Sequence, residues 1–236
     1  MHSSVRVVLV ALAVAAPLSA QGWIVPRPCG IGIMPVGDRP TPPIRDCRPN
    51  VVRTRNDVRV ELVDRVLRYE VEERFVNRGA TIGEADYLFP LPVNAAFQDL
   101  KLSINGELVS GETMNAGEAR RIYENIVRTQ RDPALVEWMG HGLLRARIFP
   151  LNPGEEKRIV VRFQSVAPRE GDALRIDYFR GGAPGTTNVR DETNSSFMVT
   201  YRASPEFGAP YSPTHLLDVS DRDGRRQISV RGDARD

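Results

Sequence analysis

Between Asp57 and Asn77 apolar and polar residues alternate with a period of two, and no other feature of the sequence constrains the fold as tightly. Val58, Val60 and Leu62 alternate with polar neighbours; Leu67, Tyr69, Val71 and Phe75 alternate with Arg68, Glu70, Glu72 and Arg74. Successive side chains of a strand point to opposite faces, so this is the pattern of half-buried antiparallel strands. Asn77-Arg78-Gly79 closes the run in a turn. The period returns at Leu100, Leu102 and Ile104, where Asn105-Gly106 signals a hairpin, because a type I′ turn needs positive φ at both central residues. Leu108-Val109 begins the return strand.

Further strands are expected at Leu144–Ile148, Ile159–Phe163, Leu174–Tyr178 and Phe197–Tyr201, and around Leu216-Leu217 and Ile228–Val230. Turns separate them, among them Asn152-Pro153-Gly154-Glu155 and the glycine-rich 181–185. Tyr87-Leu88-Phe89-Pro90-Leu91-Pro92 sets two prolines among good strand residues. Proline cannot donate to a sheet ladder. The two prolines are therefore expected where a strand ends and the chain crosses the sandwich, with Phe89, Leu91 and Phe97 in the core. One stretch has a helical period: Asn115 is placed to cap it, and Ala119, Ile122, Tyr123, Ile126 and Val127 form a single apolar stripe until Asp132-Pro133. The fold class expected is mainly β (α+β): an antiparallel β-sandwich-like domain over 57–168 with one amphipathic helix, followed by a second small β unit over 169–236.

The amino-terminal residues carry a different signal. Arg6 leads into the apolar run Val7–Ala16, followed by Pro17-Leu18-Ser19-Ala20. That is the plan of a secretory signal peptide over residues 1–20, with cleavage near Ala20, and the run is too short to span a membrane. The mature chain is expected to be exported, periplasmic or extracellular, with no stable transmembrane anchor. Residues 21–56 are rich in proline and read as an arm or linker. It contains both cysteines, Cys29 and Cys47, which in an oxidising compartment are expected to form a disulfide. A two-thiolate metal site is the competing reading, and it lacks nearby histidines.

Formal net charge is only +2, which gives no basic footprint for nucleic acid. The chain contains no His-Glu-x-x-His, Gly-x-Ser-x-Gly or Cys-x-x-Cys pattern. His141 lies between glycines and His215 follows Tyr211-Ser212-Pro213-Thr214, both turn-like settings. Arg231-Gly232-Asp233 and Asn194-Ser195-Ser196 spell an adhesion tripeptide and a glycosylation acceptor, and neither is taken as a site.

Six pieces of the central segment, in order, resemble the VIT domain, the module named from vault proteins and inter-alpha-trypsin inhibitor heavy chains. They are Phe75-Val76-Asn77; Tyr87 through Pro92 with Ala95-Ala96-Phe97; Ile104-Asn105-Gly106; Glu118-Ala119-Arg120-Arg121-Ile122-Tyr123; Arg131 through Trp138; and Phe149-Pro150-Leu151 with Pro153-Gly154-Glu155. The family-motif positions Phe75, Asn77, Tyr87, Phe89, Pro90, Leu91, Pro92, Glu118, Ala119, Tyr123, Phe149, Pro153 and Gly154 are expected to be structural. Tyr211-Ser212-Pro213-Thr214-His215 resembles the sequence between VIT and von Willebrand factor A domains in bacterial proteins. Asp218-Val219-Ser220-Asp221-Arg222 departs from the Asp-x-Ser-x-Ser metal motif of the latter domain. Metal-dependent adhesion is therefore not carried over, and neither a catalytic residue, a metal nor a cofactor is assigned.

The resemblance implies an exported, non-enzymatic protein-interaction or adhesion-type module whose partners are other proteins. The alternatives are an amino-terminal fragment of a longer VIT–von Willebrand A protein with metal-dependent binding, and a periplasmic hydrolase or protease-associated factor.

Overall fold

The computed structural model describes residues 22–26, 50–104, 106–114, 135–138, 142–177, 190–204 and 207–231. In chain order the strands are β1 (Trp23–Pro26), β2 (Val51–Val63), β3 (Val66–Asn77), β4 (Gly83–Pro90), β5 (Ala96–Ile104), β6 (Glu107–Ser110), β7 (Glu112–Met114) and β8 (Leu135–Trp138). There follow β9 (Leu143–Leu151), β10 (Glu156–Val166), β11 (Arg169–Glu170), β12 (Ala173–Leu174), β13 (Arg190–Arg202), β14 (Leu216–Arg222) and β15 (Arg225–Arg231). No helix occurs among the described residues. The expected amphipathic helix falls on residues outside them, as do the signal segment, Cys29 and Cys47.

Two sheets carry the fold. The larger runs β14-β15-β13-β2-β3-β10-β5-β6 and the smaller β1-β4-β9-β8-β7, with β11 and β12 a separate pair. Most neighbours are antiparallel, as the alternation predicts. Two pairs are parallel, β13 with β2 and β7 with β8, which the expectation of an antiparallel sandwich did not include. Residues 190–231, expected within a second β unit, extend the same large sheet through the β13–β2 pairing. Leu174 lies in a two-residue strand and Ile176 lies in none.

The sheets face each other across a core of aromatic and branched side chains. Phe75, Tyr69 and Phe163 come from the large sheet, Tyr87 and Phe89 from the small one. Phe75 meets Tyr87 edge-on at 6.0 Å between centroids, Phe89 meets Phe163 at 5.8 Å, and Tyr69 stacks on Phe163 at 4.6 Å. Such offset and edge contacts add about 0.5–1.5 kcal/mol each to the burial itself. The alternation at 58–77 thus becomes one face pressed on the small sheet and one left open.

The proline-bearing stretch resolves as a strand end. Pro90 is the last residue of β4, and β1 pairs only as far along β4 as Leu88. The donor that Pro90 lacks is therefore not needed on the β1 side. Beyond it, Leu91 N–H donates to the Gly142 carbonyl at 2.6 Å, and a turn follows in which Ala95 N–H donates to the Pro92 carbonyl at 3.0 Å. Leu91 is buried and Phe97 packs half-buried against the core.

The proline-rich arm contributes more than a spacer. Trp23–Pro26 joins the small sheet, with Ile24 in the core, and β2 begins at Val51, six residues before Asp57. A register shift between Arg53 and Arg55 interrupts the alternation there, which hides the start of the strand in the sequence. At the Asn105-Gly106 hairpin, Ile104 pairs with Glu107 and Gly106 has φ 87°, in the left-handed region the turn requires.

Candidate interaction surface

The outward face of the large sheet is built from the polar half of the alternation. Arg59 of β2 lies opposite Glu70 of β3, Glu70 opposite Arg162 of β10, and Arg162 opposite Asp99 of β5. The side chains follow the register: Arg59 Nη1 is 2.9 Å from Glu70 Oε1, Arg162 Nη2 is 2.8 Å from Glu70 Oε2, and Arg162 Nη1 is 3.3 Å from Asp99 Oδ2. A second row joins Arg225 of β15 to Glu61, and Glu61 to Arg68 at 3.6 Å. Opposite charges facing across strands stabilise a sheet by roughly 0.2–1 kcal/mol per pair.

One row breaks that rule. Asp57 and Glu72, both buried, lie directly opposite each other, an arrangement that repels unless each carboxylate is held separately. Arg55 and the Ser196 hydroxyl, at 2.6 Å, hold Asp57. Arg158, at 2.7 Å, and Arg74, at 2.9 Å, hold Glu72. Burial is the largest single influence on the Glu72 carboxyl and raises its pKa, yet the two arginines together outweigh it and leave it below the ordinary value. The same balance, with Arg162 and Arg59, depresses Glu70. For Glu61 the Arg225 hydrogen bond leads and lowers it.

Side-chain length then decides what the face presents. The carboxylates stand on short stems at the sheet, and the arginines lie over them on long ones. Side-chain exposure is 48% for Arg59, 54% for Arg68 and 37% for Arg162, against 31% for Glu70, 36% for Glu61 and 32% for Asp99, and falls to 4% for Glu72 and 5% for Asp57. The surface is thus a plate of guanidinium groups held by carboxylates that are less exposed than they are. A depression of about 310 Å³ opens in it, with Arg59, Glu61, Arg68, Glu70, Gln98 and Arg162 in its lining.

The inward face carries a charged cluster of its own. Glu73 occupies a core-facing position of β3 and is fully buried. It accepts the Tyr87 hydroxyl at 2.5 Å, and its Oε1 lies 3.2 Å from Arg53 Nε. Arg53 also donates to the Gly22 carbonyl and stands over the Phe75 ring at 5.4 Å. Lys157, likewise buried, is 2.8 Å from Glu155.

The family-motif residues in the described segments are placed as follows. Phe75, Tyr87 and Phe89 fill the core between the sheets, while Pro90, Leu91 and Pro92 form the strand end and crossing. Asn77 donates through Nδ2 to the carbonyls of Thr81 and Leu151, accepts Gly79 N–H, and offers its own carbonyl to Gly154 N–H at 2.8 Å. The structure thereby ties Asn77 to the Pro153-Gly154 turn, where Gly154 has φ 74°. Phe149 is half-buried. Glu118, Ala119 and Tyr123 lie outside the described residues, as does His141. His215 is exposed and bonded locally to Thr214 at 2.7 Å. Among the described residues no group of three or more His, Cys, Asp or Glu is placed to hold a metal ion.

The sequence reading did not name the ladder or the buried charges, although a signal for each was present. Glu73 and Lys157 sit in phase with the apolar positions Leu67, Tyr69, Val71 and Phe75, and Ile159, Val161 and Phe163. A charge in that phase must point inward.

The family described as the vault protein inter-alpha-trypsin domain, VIT, matches residues 54–163. No curated protein matches the chain in sequence. Among solved structures, the chain is similar to an M1 zinc metallopeptidase from Deinococcus radiodurans at 15% identity and TM-score 0.40, covering 78% of this chain and 39% of that one. It is also similar to a Legionella pneumophila protein named as nutrient binding, at 12% identity and TM-score 0.42, covering 77% of this chain and 62% of that one. The chain thus spans less than two thirds of the length of either. Residues 54–163, from the bulged start of β2 to Phe163 of β10, are a VIT domain.

Proposed function

We propose that this chain is an exported, non-enzymatic protein-interaction module that holds an acidic surface of another protein against the arginine plate of its VIT domain. The observation that carries the reading is the plate itself. Four strands, β2, β3, β10 and β15, fix the positions of its arginines, the paired carboxylates set their directions, and the guanidinium edges remain exposed. A planar guanidinium matches a carboxylate in two-point geometry and is weakly hydrated, which makes arginine effective at protein interfaces. Because the side chains are already ordered, binding costs less conformational entropy than it would on free lysines. Export rests on the apolar run Val7–Ala16 and the small residues before Gln21.

Both parts have a direct test. The full chain, expressed with its first twenty residues, is expected in the periplasmic fraction with Gln21 at its amino terminus; retention in the cytoplasm with residue 1 intact would end the export reading. The mature chain immobilised on a support is expected to capture envelope proteins from its own organism in low salt and release them as salt rises. Arg59→Gln with Arg68→Gln is expected to reduce that capture at least tenfold. Equal capture by the unaltered and doubly altered chains would remove the plate from the account.

A further inference from the structure

The outer edge of the small sheet is finished by a strand that is unusual in how it is held. β1 is four residues long and, among the described residues, pairs only with β4, Trp23 opposite Leu88 and Ile24 opposite Tyr87. Two of its inward positions are specified. Ile24 is 1% exposed and belongs to the core. Gly22, just before the strand, is buried, and a Cβ built there would stand 2.3 Å from the Tyr87 ring, so only glycine fits. The Gly22 carbonyl accepts from Arg53, which the buried Glu73 holds in place, and Glu73 in turn accepts the Tyr87 hydroxyl. The β4 edge therefore has the features of a peptide-recognition groove: a backbone ladder that β1 fills, a slot for glycine with a cation aimed at its carbonyl, and an apolar slot two residues on. Backbone pairing with side-chain slots at alternate positions is how strands are recognised by addition to a sheet.

We propose that this edge is a strand-acceptor site that takes Gly22–Pro26 from a second copy of the chain. The segment that fills the site is joined to β2 through residues 27–49. At about 3.3 Å per residue that connection reaches up to roughly 80 Å with Cys29 and Cys47 unjoined, enough to seat the strand in a neighbouring molecule, whereas a disulfide between them shortens it to roughly 30 Å and disfavours exchange. The contacts are then identical, because the donor is the same five residues and the acceptor the same edge. What separates the two arrangements is loop closure in one chain against association of two, so exchange rises with protein concentration. Each acceptor is completed by a residue its partner contributes, Gly22. The open face of the large sheet plays no part, so this inference and the function proposed above stand or fall separately.

Disulfide trapping across the Trp23–Leu88 register pair tests it, in the full mature chain with Cys29→Ser and Cys47→Ser. One chain carries Trp23→Cys and the other Leu88→Cys, so a bond between them forms only in trans. Mixed under mild oxidation, they are expected to give a disulfide-linked heterodimer that increases with concentration. Its yield is expected to exceed tenfold that of Trp23→Cys mixed with the out-of-register Glu84→Cys. Adding Gly22→Leu to the donor chain is expected to abolish it. A chain carrying both Trp23→Cys and Leu88→Cys reports the pairing itself. If that chain closes wholly within itself while the mixture gives no more dimer than the mismatched control, exchange does not occur and the proposal is overturned. If it closes neither within nor between chains, the β1–β4 register is wrong and the proposal falls with it.

Discussion

Replacing Arg53 by Met and Glu73 by Leu, singly and together, isolates the buried charge cluster. Glu73 is fully buried, and Arg53 is 5% exposed. Their closest atoms are 3.2 Å apart. Either single replacement strips a buried charge of its opposite partner, which costs about 3–5 kcal/mol in such pairs. Glu73→Leu additionally removes the acceptor of the Tyr87 hydroxyl, and Arg53→Met the donor to the Gly22 carbonyl. The double replacement removes both charges and leaves apolar side chains of similar size beside Phe75. Its cost is expected to be smaller than that of either single replacement, about 2 kcal/mol: the desolvation of two ions disappears along with their attraction, and what is left is the hydrogen-bond partner lost by the Tyr87 hydroxyl and by the Gly22 carbonyl. With single costs of about 3 kcal/mol or more each and a double cost of about 2, the coupling between the two sites is at least about 4 kcal/mol, above the usual range for residues in contact. Urea unfolding followed by fluorescence measures it: with a slope of about 2 kcal/mol/M, each single variant moves the midpoint down by roughly 1.5–2.5 M, and the double variant recovers to within about 1 M of the unaltered chain. Single costs below about 1 kcal/mol, or a double cost equal to their sum at unchanged slope, would refute the argument that these charges are buried and paired.

Two further outcomes follow from the same geometry. Asn77→Ala removes a buried amide that makes two donor bonds and accepts a third; the expected loss is about 2–4 kcal/mol in denaturant unfolding. Increased exchange of the amides around 77–82 and 152–155 should accompany it. The folded pKa of Glu72 and of Glu70 lies below the ordinary value, so the folded state binds fewer protons at these sites than the unfolded chain. The stability they confer is present above an unfolded value of about 4.3 and is lost as pH falls through the depressed folded values. Stability is therefore expected to be flat from pH 7 to about pH 5 and to fall below about pH 4, with a shallower acid slope in Glu72→Gln.

Much of the large sheet was legible because its strands obey one rule over many residues. Leu67, Tyr69 and Val71 are in phase, Ile159, Val161 and Phe163 match them, and Asn105-Gly106 joins β5 to β6. What escaped the reading were features that local patterns do not encode. β1 is four residues ending in proline, and its assignment depends on β4, some sixty positions away in the chain. The start of β2 is masked by a register shift and by Arg53, Asn56 and Asp57, buried polar residues that resemble a loop in sequence. The parallel seating of β13 beside β2 is a long-range choice that alternation leaves open. The ladder was half visible: Arg68, Glu70, Glu72 and Arg74 were seen to face outward together. Their partners on β2, β10 and β5 became apparent only with the register.

The arginine plate as the docking face is tested most directly by a photocrosslinking side chain at Gln98, in the lining of the depression, with the same group at exposed Ile82, outside that lining, as the control. In the presence of envelope proteins, the account predicts a discrete adduct from position 98 that fades with salt and with Arg59→Gln/Arg68→Gln, and none from position 82. No adduct from position 98, or the same adduct from both positions, would contradict it.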